Sequence, residues 1–156
     1  MLTIKTILFE TDFSFASEAA FGLACALARD HDAKLVIHHV VMPTSALAYR
    51  EMVLRGELND NFEAIEEKLK AVTPASGNIA VEHRLTQGDA AQEILRMVDE
   101  VKADLVVMGT HGRTGLGRLM GSVAEKVVRQ APCPVLTLKA VAPASQECRQ
   151  AAQYQN

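Results

Sequence analysis

The stretch Asp104-Leu-Val-Val-Met-Gly-Thr-His-Gly-Arg-Thr-Gly-Leu-Gly-Arg-Leu-Met-Gly-Ser-Val-Ala-Glu125 decides how this chain is read. Its apolar run, Leu105 to Met108, is too short for a helix and rich in valine, which predicts a buried strand ended by Gly109. Gly112, Gly115, Gly117 and Gly121 follow in a loop carrying Arg113 and Arg118, with no acidic residue between Leu105 and Ala124. Ser122 stands three residues before Glu125, the spacing of a capping box. Val123, Val127 and Ala131 share one face of the helix that this box would open.

Strand, glycine-rich loop and helix start together make an anion cradle. Glycines let backbone approach an oxyanion, and the first N–H groups of a helix carry partial positive charge. Arg113, Arg118 and the ring of His111 are candidate phosphate donors, with exposed loop charges as the plain alternative. Ser122 can bind phosphate or cap its own helix. Two sharper motifs fail. Gly115, Gly117 and Gly121 are one residue too widely spaced for the dinucleotide fingerprint, and Gly112 and Gly117 are followed by Arg118-Leu119 where a P-loop needs Lys-Ser/Thr.

Working outward, the remaining segments alternate. Ile4 to Phe9 predicts a central strand, Ser14 caps a helix running to about Arg29, and Lys34 to Val41 predicts a second strand stopped by Pro43. In the first helix Ala20, Leu23, Ala24 and Leu27 form a small-residue apolar face. Pro43 to Asn59 is weakly patterned and is read as an insertion with a short helix near Leu47–Leu54. Asp60 with Glu63 predicts a helix start, followed by Phe62, Ile65, Leu69 and Val72 at helical spacing. Ile79, Val81, His83 and Leu85 alternate with polar residues, the mark of an edge strand with one wet face. Gly88-Asp89 opens a helix with Ile94, Val98 and Val101 inward, and Pro134 to Leu138 is the last strand. The order β-α-β-α-β-α-β-α-β implies a parallel sheet with helices on both faces, a three-layer α/β/α sandwich. The domain is read as residues 1–139, and the Ala-, Gln- and Pro-bearing tail 140–156 as disordered.

Composition narrows the class of function. A chain of 156 residues with 49% hydrophobic and 22% charged content fits one globular domain. Net charge of −3 argues against a general nucleic-acid binder, and no segment reaches the length of a membrane span. The N-terminus reads without a signal peptide, and Cys25, Cys133 and Cys148 are too scattered for a disulfide framework or zinc site, so the expected compartment is the cytoplasm. His38 and His39 are adjacent on a strand, point to opposite faces and cannot chelate one metal together. Cys133 is read as a small hydrophobe.

The decisive stretch resembles the universal stress proteins, whose nucleotide-binding members carry Gly, two residues, Gly, nine residues, Gly-Ser/Thr. Gly109, Gly112, Gly121 and Ser122 match in type and order, while the interval Arg113 to Met120 holds eight residues. The resemblance covers roughly Thr3 to Lys139 and implies a five-stranded sheet of order 3-2-1-4-5. Ligands of such sheets bind where neighbouring strands send their connections in opposite directions, which places Thr11 and Asp12 beside Gly109. The resemblance also implies ribose contact at Asp12, adenine contact at the backbone of Val40, and further contacts from Met108, His111, Arg113 and Val123. It implies ATP, with Mg²⁺, as ligand and a homodimer paired through strand 134–138. Glu10 stands where the family often has proline. Three functions follow: a nucleotide-binding stress-response protein, a dimeric member acting through protein partners without nucleotide, and a slow ATP hydrolase. The lack of an acidic residue in the nucleotide loop speaks against the third.

Overall fold

A computed structural model of the chain describes residues 3–42, 45, 50–51, 54–55, 58–75, 77–110 and 120–139. The readings of His111, Gly112, Arg113, Arg118, most of the Pro43–Asn59 insertion and the tail 140–156 fall outside the described residues, although Arg50, Glu51, Leu54 and Arg55 are helical.

Among the described residues, besides the helical ones at 50–51 and 54–55, five strands alternate with four helices: β1 Thr6–Glu10, α1 Phe15–His31, β2 Lys34–Val41, α2 Leu58–Lys70, β3 Val81–Gln87, α3 Ala90–Val101, β4 Leu105–Gly109, α4 Ser122–Gln130 and β5 Val135–Leu138. All pairings are parallel, and the sheet order is β3-β2-β1-β4-β5. Alternation along β1 divides the core. Ile7 and Phe9 face the layer containing Ala20, Ala24 and Ala28 of α1 and Leu69 of α2. Leu8 faces the layer of Ile94, Met97 and Val98 from α3 and Ala124 and Val127 from α4. Burying side chains of this size from water contributes about 1.5–3 kcal/mol each, so β1 anchors both layers. Asp104 ties the starts of β1 and β4, its Oδ2 accepting from the N–H of Lys5 at 2.8 Å and of Thr6 at 2.9 Å. Those two bonds hold its carboxyl below the usual range.

Several local readings shift. The buried residues of α1 are Ala16, Ser17, Ala20, Ala24, Cys25 and Ala28, while Leu23 is only half-buried, because close contact with the sheet selects small side chains. Helix α2 begins at Leu58, so Asp60 lies inside it rather than capping it. Strand β3 is an edge strand as expected, but Val81 to Thr86 are all half-buried and no face is wet. Its polar side is covered by ion pairs of Glu82 with Lys34 and of Arg84 with Glu100, and the Nε2–H of His83 donates to the Val72 carbonyl at 2.8 Å.

At Gly109 the backbone of β4 lies close against the first turn of α1. A Cβ there would stand 3.0 Å from both the carbonyl carbon and Cβ of Ala16 and 3.1 Å from the Ser17 nitrogen. Gly22, inside α1 and exposed, has nothing within 4 Å of its would-be Cβ. Gly109→Ala is therefore expected to destabilise the protein by roughly 1–3 kcal/mol, since the helix backbone must move. Gly22→Ala is expected to stabilise it by about 0.5–1 kcal/mol through helix propensity. Urea denaturation of the two variants checks the opposite signs.

Candidate functional site

The end of β1 is shaped by short polar side chains bonding their own backbone. The Thr11 N–H donates to the His38 carbonyl at 2.9 Å, continuing the sheet one residue past β1. Thr11 Oγ1 accepts from the Phe13 N–H at 3.0 Å, and Asp12 Oδ1 accepts from the Ser14 N–H at 2.9 Å. Ser14 then caps α1, its side chain accepting from the Ser17 N–H at 3.3 Å. These bonds hold Phe13 at φ 60°, a left-handed conformation that costs a bulky side chain of order 1–3 kcal/mol. Two contacts fix the ring. The His39 ring lies 4.5 Å away between centroids, and Lys68 Nζ of α2 sits 4.5 Å from the Phe13 centroid. His39 Nδ1 lies 2.6 Å from the Thr11 carbonyl, which accepts only, so the proton is on Nδ1.

The facing wall comes from β4 and α4. The Gly121 N–H donates to the Thr110 carbonyl at 2.7 Å, and the Gly121 carbonyl accepts from the Glu125 N–H at 2.9 Å. Gly121 is thus the N-cap, with ψ 150°, and Ser122 is the first helical residue. This corrects the capping-box reading. The box requires Ser122 in the extended N-cap conformation, and Gly121 occupies that position instead. Among the described residues no side chain caps α4, because Gly121 at the N-cap has none to offer, and the first N–H groups of the helix are orphan donors of the kind an anion can take. The positive end of the helix dipole lies at the same place.

Between the two walls lies a cavity of ≈ 570 Å³, within the range of small-ligand sites. One part of its lining is apolar, with Val40, Val41, Met42, Ile94 and Met108. Another is backbone-rich and polar, with Gly109, Thr110, Gly121 and Ser122, while Asp12 and Lys68 also contribute. Of the residues named from sequence, Asp12, Val40, Met108, Gly109, Gly121, Ser122 and Val123 line this space. Thr11 is 3% exposed and serves the turn rather than the lining. Phe13, His39 and Lys68 line the cavity and were not foreseen. Lys68 had no local signal, because only packing of α2 over the β1–α1 turn brings it there. Among the described residues, no three His, Cys, Asp or Glu side chains are placed to hold a metal ion.

Glu10 also lines the cavity, although it is only 8% exposed. Glu10 Oε2 and His38 Nδ1 are hydrogen-bonded at 2.7 Å, and His38 Nε2 is bonded to Thr86 Oγ1 at 2.8 Å. Burial pushes the Glu10 carboxyl above its usual range, and the charge and hydrogen bond of His38 pull it partly back. Sequence reading gave His38 only a strand role, since alternation cannot reveal a partner on the neighbouring strand at the register Glu10↔His38.

The arrangement is a doubly wound α/β domain with a crevice where β1 and β4 send their connections apart. The chain belongs to the universal stress protein family, whose model matches residues 3–139. It is 34% identical over 145 residues to a chain from Staphylococcus aureus (strain USA300) named as a universal stress protein, covering 89% of this chain and 86% of that one. The hypothetical protein MJ0577 superposes with a TM-score of 0.76 at 27% identity, over 90% of this chain and 99% of the other. A universal stress protein solved in complex with cAMP superposes with a TM-score of 0.59 at 31% identity, over 88% and 98% of the two chains.

Removing the partner of a buried carboxyl exposes the cost of burying it. His38→Leu is expected to destabilise the protein by about 3 kcal/mol, and adding Glu10→Leu to recover part of that loss. Without His38 the Glu10 carboxyl rises further. A group raised in the folded state favours folding in its protonated form, so the single variant is least impaired in acid. It is expected to lose stability as the pH rises through Glu10's folded value. Denaturation of both variants across pH checks the order and the slope.

Proposed function

We propose that the protein binds an adenine nucleotide, ATP or a close relative, in the crevice between the end of β1 and the start of α4. The observation that carries this reading is the composition of the cavity lining: apolar side chains, and a helix start that no side chain caps among the described residues. Phosphate oxygens would take the N–H groups at Ser122 and Val123 and the helix dipole, and ATP would bring Mg²⁺ with its phosphates. The base would fill the space beside Val40 and Met108. Asp12, with one oxygen engaged by Ser14, keeps acceptor capacity on the other for ribose hydroxyls. Likeness to the universal stress protein complexed with cAMP supports the same ligand class.

In this reading the nucleotide acts as a ligand of a cytoplasmic stress-response protein and stabilises the occupied state by mass action. His111, Gly112 and Arg113 would complete the phosphate side. Strand β5 ends the sheet, with Leu136 36% exposed, and would pair with a second copy to form a homodimer.

Calorimetric titration of nucleotide-stripped protein with Mg²⁺-ATP is expected to show saturable binding. Ligand at a hundredfold excess over Kd stabilises by about 2.7 kcal/mol, which raises Tm by roughly 5–10 °C for a chain of this size. Gly121→Val, which puts a branched side chain on the cavity wall, is expected to abolish both signals while retaining the far-UV spectrum. Absence of heat and of a Tm shift at millimolar ATP would reject the reading.

A further inference from the structure

Glu10 is poorly accounted for by the fold alone. It ends the central strand on the face that carries Leu8, Val36, Val40 and Met108, all buried apolar residues. A carboxyl among such neighbours costs stability, and an apolar side chain would fill the position without that cost. The sequence nevertheless supplies His38 on β2, which holds Glu10, and Thr86 on β3, which holds His38. His38 is completely buried and joins the carboxyl through Oε2, and no hydrogen bond reaches Oε1 among the described residues. The held carboxyl borders the cavity, whose lining also includes Val40 and Met108 from the same face of the sheet.

Chemistry decides which part of a nucleotide such a group suits. A carboxyl repels phosphate, and the polar N–H groups for phosphate belong to the start of α4, on another part of the lining. A nucleobase edge fits the apolar part. A carboxyl oxygen accepts a hydrogen bond from an exocyclic amino group whether the carboxyl is ionised or protonated, because an acceptor lone pair is present in both forms. In the ionised form, which the hydrogen bond from His38 favours, the carboxylate has no proton to offer, and a keto oxygen at the same position on the base would meet a lone pair.

Resting on the nucleotide-binding reading above, we propose that Glu10, positioned by His38 and Thr86, reads the base: it selects purines that carry an exocyclic amino group, adenine over hypoxanthine. Losing a hydrogen bond to a buried acceptor leaves that acceptor unpaired, so discrimination of about 10- to 100-fold is expected.

The test is calorimetric titration of the full-length protein with ATP, inosine triphosphate and purine riboside triphosphate, which has neither the amino nor the keto group. The wild type is expected to bind ATP at least about tenfold more tightly than either analogue. In Glu10→Gln, whose amide can donate to a keto oxygen, the ratio of ATP to inosine triphosphate affinities is expected to fall to within about threefold. Glu10→Met, close to glutamate in volume, takes the same comparison if the amide variant does not fold, and there the ATP preference is expected to disappear. Equal binding of all three nucleotides by the wild type overturns the proposal and leaves the nucleotide reading intact. Discrimination that persists in the Glu10 variants overturns the assignment to Glu10. No binding of any of them overturns both.

Discussion

The first turn of α1 rests on Gly109 with no room for a side chain between them. This contact seats the start of α1 directly on the end of β4, the strand paired with β1 where the connections diverge. With α1 close against β4, the β1–α1 turn becomes one lip of the crevice and the start of α4 the other. The turn pays for that placement with a left-handed Phe13, which its local hydrogen bonds and the flanking His39 and Lys68 retain. Strain held by its surroundings in this way is characteristic of ligand sites.

The crevice separates two kinds of chemistry. Toward α4 it presents backbone N–H groups and the helix dipole, suited to oxyanions. Toward β2 and α3 it presents Val40, Val41, Met42 and Ile94 beside His39 and Glu10, and the Glu10 carboxyl is held by His38, which Thr86 holds in turn. A ligand with an anionic end and a flat, amino-bearing end matches both.

Much of this was legible in the sequence. The valine-rich runs at Lys34–Val41 and Leu105–Met108 gave strands within a residue of those found, because fully buried parallel strands leave few alternatives. Sheet order came from the family resemblance, since alternation constrains handedness but not which strands are neighbours. Features set by a third element were not legible. Lys68 reaches the site only through the packing of α2, Glu10 and His38 meet only through register, and β3 loses its wet face to ion pairs from β2 and α3. Ser122 was misread because serine followed three residues later by glutamate has the spacing of a capping box, and nothing local shows that Gly121 takes the cap.

Amide hydrogen exchange with and without saturating Mg²⁺-ATP tests occupancy of the crevice most directly. Binding there predicts slowed exchange at the β1–α1 turn, the end of β2 and the first turn of α4, with the outer side of β3 unchanged. Unchanged exchange at those three segments, or slowing confined to another surface, would contradict it.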